Sequence, residues 1–320
     1  MPPTDPIRRQ GLPRVVMHPR QPSGVRAFLE TVPDIRLQTP QDEAQVQACL
    51  MGGADILVTH VWQDAYLVPS LKWIASTSAG HEQFPLDPLA AHGLRLTTAS
   101  GVAAVTVAEH AFALLLALTR RISAHAQNML HRTWQPQEGI ELSGKHLAVI
   151  GLGHIGEAIA VRASCWGMHV RGLKRNPLVH AGKVRDVRGL DALGDACAWA
   201  DVVILCAPAS PAASPMITAR ELHLLGAGYL VNVGRGSLID HVALLEALTS
   251  GQLLGAGLDV TAPEPLPVDS PLWASPKLVI SAHSAGRSPD YGARWGEVFQ
   301  ANLRAFRNGG PWENQIRTEG

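Results

Sequence analysis

Hydrophobic and polar positions along this chain fall into short blocks whose period switches between that of a strand and that of a helix. Apolar runs of strand length stand at residues 14–17, 35–37, 55–59, 73–76 and 94–97. Between them, 25–30 and 42–50 carry apolar residues at helical spacing. Such alternation predicts a small parallel α/β unit. A long helix is then predicted over 102–121, apolar on most sides through Val105, Val107, Phe112, Leu114, Leu115 and Leu116, and therefore buried between domains or subunits. Residues 122–142 read as a connecting segment. Further strands are expected at 146–150, 168–173, 201–206, 229–233, 256–258 and 278–281, with helices at 218–224 and 241–249 among them. That makes about six strands, the usual size of a doubly wound nucleotide-binding sheet. A last amphipathic run, 295–306, is placed to return to the first domain.

One stretch organises the rest. The apolar residues 146–150 run into Gly151-Leu152-Gly153-His154-Ile155-Gly156, and a helical pattern continues beyond. A G-x-G-x-x-G string between a strand and a helix has a physical role for each glycine. Gly151 makes the tight turn, Gly153 lets the backbone approach a pyrophosphate, and Gly156 allows close helix–strand packing. The free N–H groups at the helix start, from His154 and Ile155 onward, then receive the phosphates. The competing interpretation is a glycine-rich turn with no ligand.

Composition narrows the field. In 320 residues, 27 Lys and Arg balance 27 Asp and Glu, so global charge points to neither nucleic acid nor an anionic membrane. Cys49, Cys165, Cys197 and Cys206 are scattered without a C-x-x-C pair, as expected of reduced thiols. The start has no signal-peptide character, and the most apolar stretch is interrupted by Glu109 and His110. A cytoplasmic location is expected by elimination, and no metal site is expected.

Candidate chemistry gathers beyond the carboxyl ends of the later strands, where open parallel sheets bind ligands. Strand 229–233 runs into Gly234-Arg235-Gly236, strand 256–258 into Asp259 with Glu264 on the following loop, and strand 278–281 into Ala282-His283. A guanidinium can grip a carboxylate at two points, and an imidazole paired with a carboxylate can act as acid or base. Taken singly, a surface salt bridge, a cap and a core histidine would explain them. In the first half, two loops of small residues follow strands, 76–81 and 98–101, and ordinary turn chemistry would account for both. After the glycine motif, strand 168–173 ends in Lys174-Arg175-Asn176. An acidic residue about 20 positions beyond the motif would bind the ribose hydroxyls of NAD. Two cations and an amide suit a ribose 2′-phosphate instead, so NADP(H) is expected over NAD(H). A solvated basic turn is the alternative.

Together these motifs resemble the NAD(P)-dependent D-2-hydroxyacid dehydrogenases, which include phosphoglycerate dehydrogenases and glyoxylate and hydroxypyruvate reductases. Gly151 to Gly156, Asn232-Val233-Gly234-Arg235-Gly236, Gly257-Leu258-Asp259-Val260 with Glu264-Pro265, Ser281-Ala282-His283, and Val107-Ala108-Glu109-His110 carry the resemblance. It implies a Rossmann-type doubly wound parallel sheet over 102–286 and a smaller, discontinuous, flavodoxin-like α/β substrate domain formed by 1–101 and 287–320. It also implies roles. Arg235 would hold the substrate carboxylate, His283 would protonate the keto oxygen, Glu264 would orient His283, and Asp259 would orient the nicotinamide. Backbone N–H groups of Ser78, Ala79 and Gly80 would complete the carboxylate cradle. Glu109 and His110 are expected to be structural. A homodimer packed through the long helix and the segment after it is implied, with Trp134 reaching towards a neighbouring site. The chain departs from common members in carrying His154 beside the pyrophosphate, where arginine is frequent, and Ala282 where proline often precedes the histidine. Formate and phosphonate dehydrogenases and dinucleotide-sensing corepressors share this fold and are the alternatives.

Overall fold

The computed structural model describes residues 11–180, 182–208 and 214–316. The chain divides into two compact units, Met1–Ala103 with Ser288–Gly320, and Ala104–Arg287.

In the first unit the order is β1 (Arg14–Met17), α1 (Ser23–Glu30), β2 (Arg36–Gln38), α2 (Glu43–Met51), β3 (Ile56–Thr59), β4 (Trp73–Ser76), α3 (Leu86–Ala91) and β5 (Arg95–Thr97). All five strands pair in parallel in the order β2-β1-β3-β4-β5, the flavodoxin-type arrangement. The residues of β3 and β4 are buried throughout, which is why each reads as an apolar run closed by one small hydroxyl residue, Thr59 or Ser76.

The second unit begins with α4 (Ala104–Thr119) and α5 (Ile122–Leu130). It continues through β6 (His146–Ile150), α6 (His154–Cys165), β7 (His169–Leu173), β8 (Asp186–Arg188), α7 (Leu193–Trp199), β9 (Val202–Leu205), α8 (Ala219–Leu225), β10 (Tyr229–Asn232), α9 (His241–Ser250), β11 (Gly255–Leu258) and β12 (Leu278–Ile280). Its sheet is parallel, in the order β12-β11-β10-β9-β6-β7-β8. The reversal of direction lies between β9 and β6, so the turn after β6 opens at the topological switch point, where such sheets take ligands.

The last helix, α10 (Tyr291–Asn308), belongs to the first unit. It crosses α1 so closely that a Cβ at Gly292 would stand 2.1 Å from the backbone of Gly24. Phe299 stacks on Trp73 with ring centroids 5.1 Å apart. The return of the C-terminal run is thus a packing requirement, since Trp295, Phe299 and Leu303 share one core with β1, β3 and β4.

Three expectations change. The sheet has seven strands, because β8 is a three-residue edge strand with a charge at each end and no apolar run to announce it. Asp186 on β8 is instead held by Arg171 at 2.8 Å and Arg188 at 3.0 Å. The predicted helix over 102–121 stops at Thr119, where Arg121 takes the left-handed conformation (φ +58°) and starts α5 in what reads as a connecting segment. Finally, α4 is not enclosed all round in this chain, since Val105 and the Glu109 side chain are exposed.

Candidate active site

The β6–α6 turn is built from backbone. Gly151 has φ +107°, a conformation that favours glycine, and a Cβ there would lie 2.7 Å from the Ala207 nitrogen. At Gly156 a Cβ would lie 2.1 Å from the Gly151 oxygen. Gly153 differs, because a Cβ there would meet nothing within 4 Å. Two glycines are therefore required by the packing of the protein on itself, and the third borders open space. Gly153 is also the residue before α6, with no side-chain cap. The first N–H groups of the helix, at His154, Ile155 and Gly156, have no partner within it. Space, unpaired donors and the positive end of a helix fit a dinucleotide pyrophosphate.

Beneath the turn, Cys206 donates its S–H to the Gly151 carbonyl at 3.0 Å, and burial pushes its thiol up to about 12. It is a neutral brace for the loop. The sequence offers no signal for it beyond its place at the end of a strand.

At the end of β7, Lys174 is half-buried and Arg175 and Asn176 are exposed. The side-chain oxygen of Asn176 accepts from the Leu178 N–H at 3.2 Å, so part of its capacity serves the next turn. Asp186, on the neighbouring strand, is the nearby acid. Burial alone would raise its pKa, but hydrogen bonds from Arg171 and Arg188 outweigh that and hold it below the usual range.

Along the same rim, the loop after β10 is shaped by Asn232, which is fully buried. Its amide accepts from the Gly234 N–H at 3.0 Å and donates to the Arg235 carbonyl at 2.8 Å. The Arg235 guanidinium donates to the Gly234 carbonyl at 2.9 Å. A Cβ at Gly236 would collide with the Thr261 backbone at 2.0 Å, so the loops after β10 and β11 are in contact. On the second of these loops, Glu264 accepts from the Thr261 N–H at 3.1 Å. Its other oxygen lies 2.7 Å from Nδ1 of His283. An ionised carboxylate only accepts, so Nδ1 carries the hydrogen and Nε2 is the nitrogen left for chemistry.

His283 sits in the left-handed region at φ +45°, which costs a residue with a Cβ about 1–2 kcal/mol. The loop that imposes it is held by Asp259. The Asp259 carbonyl accepts from the His283 N–H at 2.8 Å, and its carboxylate accepts from the amides of Ser284 at 2.9 Å and Ala285 at 3.1 Å. Asp259 is 3% exposed and serves this loop first. The sequence does not foretell that duty. Arg235, Asp259, Glu264 and His283 thus lie on three adjoining strand ends of one sheet.

In the first unit, the 76–80 loop is fixed by its carbonyls. Those of Ser76, Thr77 and Ser78 accept from the Trp295 indole, the Tyr291 hydroxyl and the Ala99 N–H. The Ser78 N–H is spent on the Ser76 hydroxyl at 3.1 Å. Of the three N–H groups expected to form a cradle, that of Ser78 is therefore taken, whereas those of Ala79 and Gly80 meet no protein acceptor among the described residues.

Comparisons with known proteins show the family. The family model described as "D-isomer specific 2-hydroxyacid dehydrogenase, NAD binding domain" matches residues 112–285, more than half of the chain. Glyoxylate/hydroxypyruvate reductase B of Serratia proteamaculans is 32% identical over 322 residues, covering 96% of this chain and 98% of that protein. Among solved structures, a D-isomer specific 2-hydroxyacid dehydrogenase family protein from Aeromonas salmonicida superposes with a TM-score of 0.82 at 30% identity, covering 96% and 99% of the two chains. An NADPH-dependent glyoxylate/hydroxypyruvate reductase from Sinorhizobium meliloti, in complex with citrate, gives a TM-score of 0.82 at 26% identity, covering 95% and 97%. With a nucleotide turn at the switch point and a histidine–carboxylate pair on the same rim, the chain belongs to the D-isomer specific 2-hydroxyacid dehydrogenases, oxidoreductases acting on the CH–OH group of 2-hydroxy acids.

Proposed function

We propose that this protein reduces small 2-keto acids of the glyoxylate and hydroxypyruvate type, with NADPH as the preferred reductant. The observation that carries the proposal is the 2.7 Å pair of His283 and Glu264 on the rim of a sheet whose β7 ends in two cations and no carboxylate. The names of the Serratia and Sinorhizobium relatives support the substrate class and the nucleotide.

The nicotinamide, when bound, supplies the hydride. The residues of this chain do the rest. Arg235 grips the substrate carboxylate and draws on the keto oxygen. His283, doubly protonated with Nδ1–H on Glu264, gives the Nε2 proton to the oxygen that becomes the hydroxyl. Glu264 fixes the ring and stabilises its charge. Reduction therefore fades as pH rises and 2-hydroxyacid oxidation gains, because one direction needs the imidazolium and the other the neutral ring. Gly151 to Gly156 hold the pyrophosphate, Lys174 and Arg175 the 2′-phosphate with Asn176 beside them, and Asp259 steadies the nicotinamide side of the site through the His283 loop.

A homodimer in the cytoplasm completes the proposal. Its contact runs partly along α4 and through the segment after it, in which Met129, Leu130 and Trp134 are 73%, 71% and 96% exposed. No described helix is long and apolar enough to cross a membrane.

Steady-state kinetics with each nucleotide test the cofactor assignment. Lys174→Asp combined with Arg175→Ala should reduce kcat/KM for NADPH about ten- to a hundred-fold, the loss of hydrogen bonds to a charged group, and leave NADH turnover nearly unchanged. A wild type that uses NADH as well as NADPH, with the double variant unaltered, would mean that this turn does not read the phosphate.

A further inference from the structure

His110 lies on α4, far in sequence from the rim, yet its Nε2 is 2.7 Å from the Ser281 hydroxyl oxygen and 3.4 Å from Asp259 Oδ1. The same Ser281 oxygen is 2.7 Å from Asp259 Oδ1. All three residues belong to one unit. Counting hydrogens fixes the direction of the chain. Asp259 Oδ1 already accepts from the Ser284 amide, and an ionised carboxylate cannot donate. A serine hydroxyl has one hydrogen, which must go to Asp259, so its oxygen is left to accept. Nε2 of His110 therefore carries a hydrogen and donates it to Ser281. The order is His110 to Ser281 to the Asp259 carboxylate, and from there to the loop that holds His283 in its left-handed conformation.

The environment makes this chain consequential. Asp259 is almost fully buried, and the other donors on its carboxylate are neutral hydroxyl and amide groups. His110 is the imidazole within ion-pair range of it. A buried carboxylate keeps one orientation only while its donors stay in place. If Asp259 turned, the amides of Ser284 and Ala285 would lose their common acceptor, and the loop carrying His283 would keep only its backbone bonds from the His283 N–H to the Asp259 and Ser281 carbonyls. A misplacement of the acid by about 1 Å can cost about a hundredfold in rate.

We infer that His110 is a positioning residue for the reaction, acting through Ser281 and Asp259 to hold the loop that carries His283. The inference rests on the role proposed for His283.

The test compares His110→Phe, His110→Gln, Ser281→Ala and the His110→Phe/Ser281→Ala double variant with wild type. Two readouts are taken: kcat and KM for the 2-keto acid and NADPH, and hydrogen–deuterium exchange of the peptide spanning 281–286. His110→Phe and Ser281→Ala should each lower kcat about tenfold while both KM values stay within about twofold. The double variant should be no slower than Ser281→Ala alone, because both changes cut the same chain. His110→Gln keeps an N–H at a similar reach and should recover most of kcat. Exchange in the loop should quicken in the Phe and Ala variants and return towards wild type with Gln. Wild-type kcat and exchange in His110→Phe would overturn the inference, as would losses that multiply in the double variant. A fall in Tm common to Phe and Gln, with kcat intact, would mark His110 as packing alone. Exchange needs no turnover, so a wild type inactive on every 2-keto acid would sink the proposed function and leave this inference to be decided on the loop.

Discussion

At the β6–α6 turn the seven-stranded sheet presents backbone and empty space; at the ends of β11 and β12 it presents a knot of side chains. The first region works because atoms are missing, with Gly151 and Gly156 leaving room for their own neighbours and Gly153 bordering open space. The second depends on polar atoms that hold one another, from Thr261 to Glu264 to His283 Nδ1 and from Asp259 to the amides beyond it. A cavity made of glycines tolerates no added atom where it packs on itself, whereas a network of side chains tolerates no lost one. The two regions should therefore fail differently when changed.

The largest expected effect is at the side-chain end. His283→Gln removes the acid and should lower kcat for 2-keto acid reduction by about 10²–10⁴, the range for a positioned acid or base, with NADPH affinity nearly unchanged. Arg235→Lys, which keeps the charge and loses the two-point grip, should cost about ten- to a hundred-fold in kcat/KM. Steady-state kinetics beside a nucleotide titration separate the two. An Arg235→Lys enzyme within about twofold of wild type would mean that the substrate carboxylate binds elsewhere.

The glycine end should fail by fit, and the two alanine variants there sharpen the contrast. Gly156→Ala forces a methyl group against the Gly151 carbonyl and should destabilise the fold by about 1–3 kcal/mol, read as a lower Tm without ligand. Gly153→Ala meets no protein atom and has an extended backbone that alanine accepts, so its Tm without ligand should match wild type. Its loss should appear only as a smaller rise in Tm on adding NADPH, about 1.4 kcal/mol less for each tenfold rise in Kd. Equal ligand-induced shifts in Gly153→Ala and wild type would show that no phosphate approaches this residue.

The same contrast explains what could be read from the sequence. Glycine is written in the sequence, and where three of them stand at fixed spacing between a strand and a helix, their geometry follows. The central strands were legible too, because burial on both faces leaves apolar runs such as 56–58 and 202–205. Edge strand β8 left no such mark, because none of its three residues is fully buried and the two at its ends, Asp186 and Arg188, are held by ion pairs. Helix α5 was missed for a related reason, since none of its residues is buried in this chain. At the site, Arg235, Glu264 and His283 could be singled out by residue type and by their place at strand ends. The Cys206 brace, the inward duty of Asp259 and the link from His110 to Ser281 could not. That last contact joins residues 171 positions apart through one hydrogen bond, and no local periodicity encodes it.

The most direct test of the central claim is NADPH and NADH consumption by the purified wild-type protein across a panel of 2-keto acids that includes glyoxylate, hydroxypyruvate and pyruvate. Saturable turnover is expected, fastest with NADPH and with glyoxylate or hydroxypyruvate, and weakening as pH rises. No turnover of any 2-keto acid with either nucleotide, in protein that still binds NADPH, would contradict it.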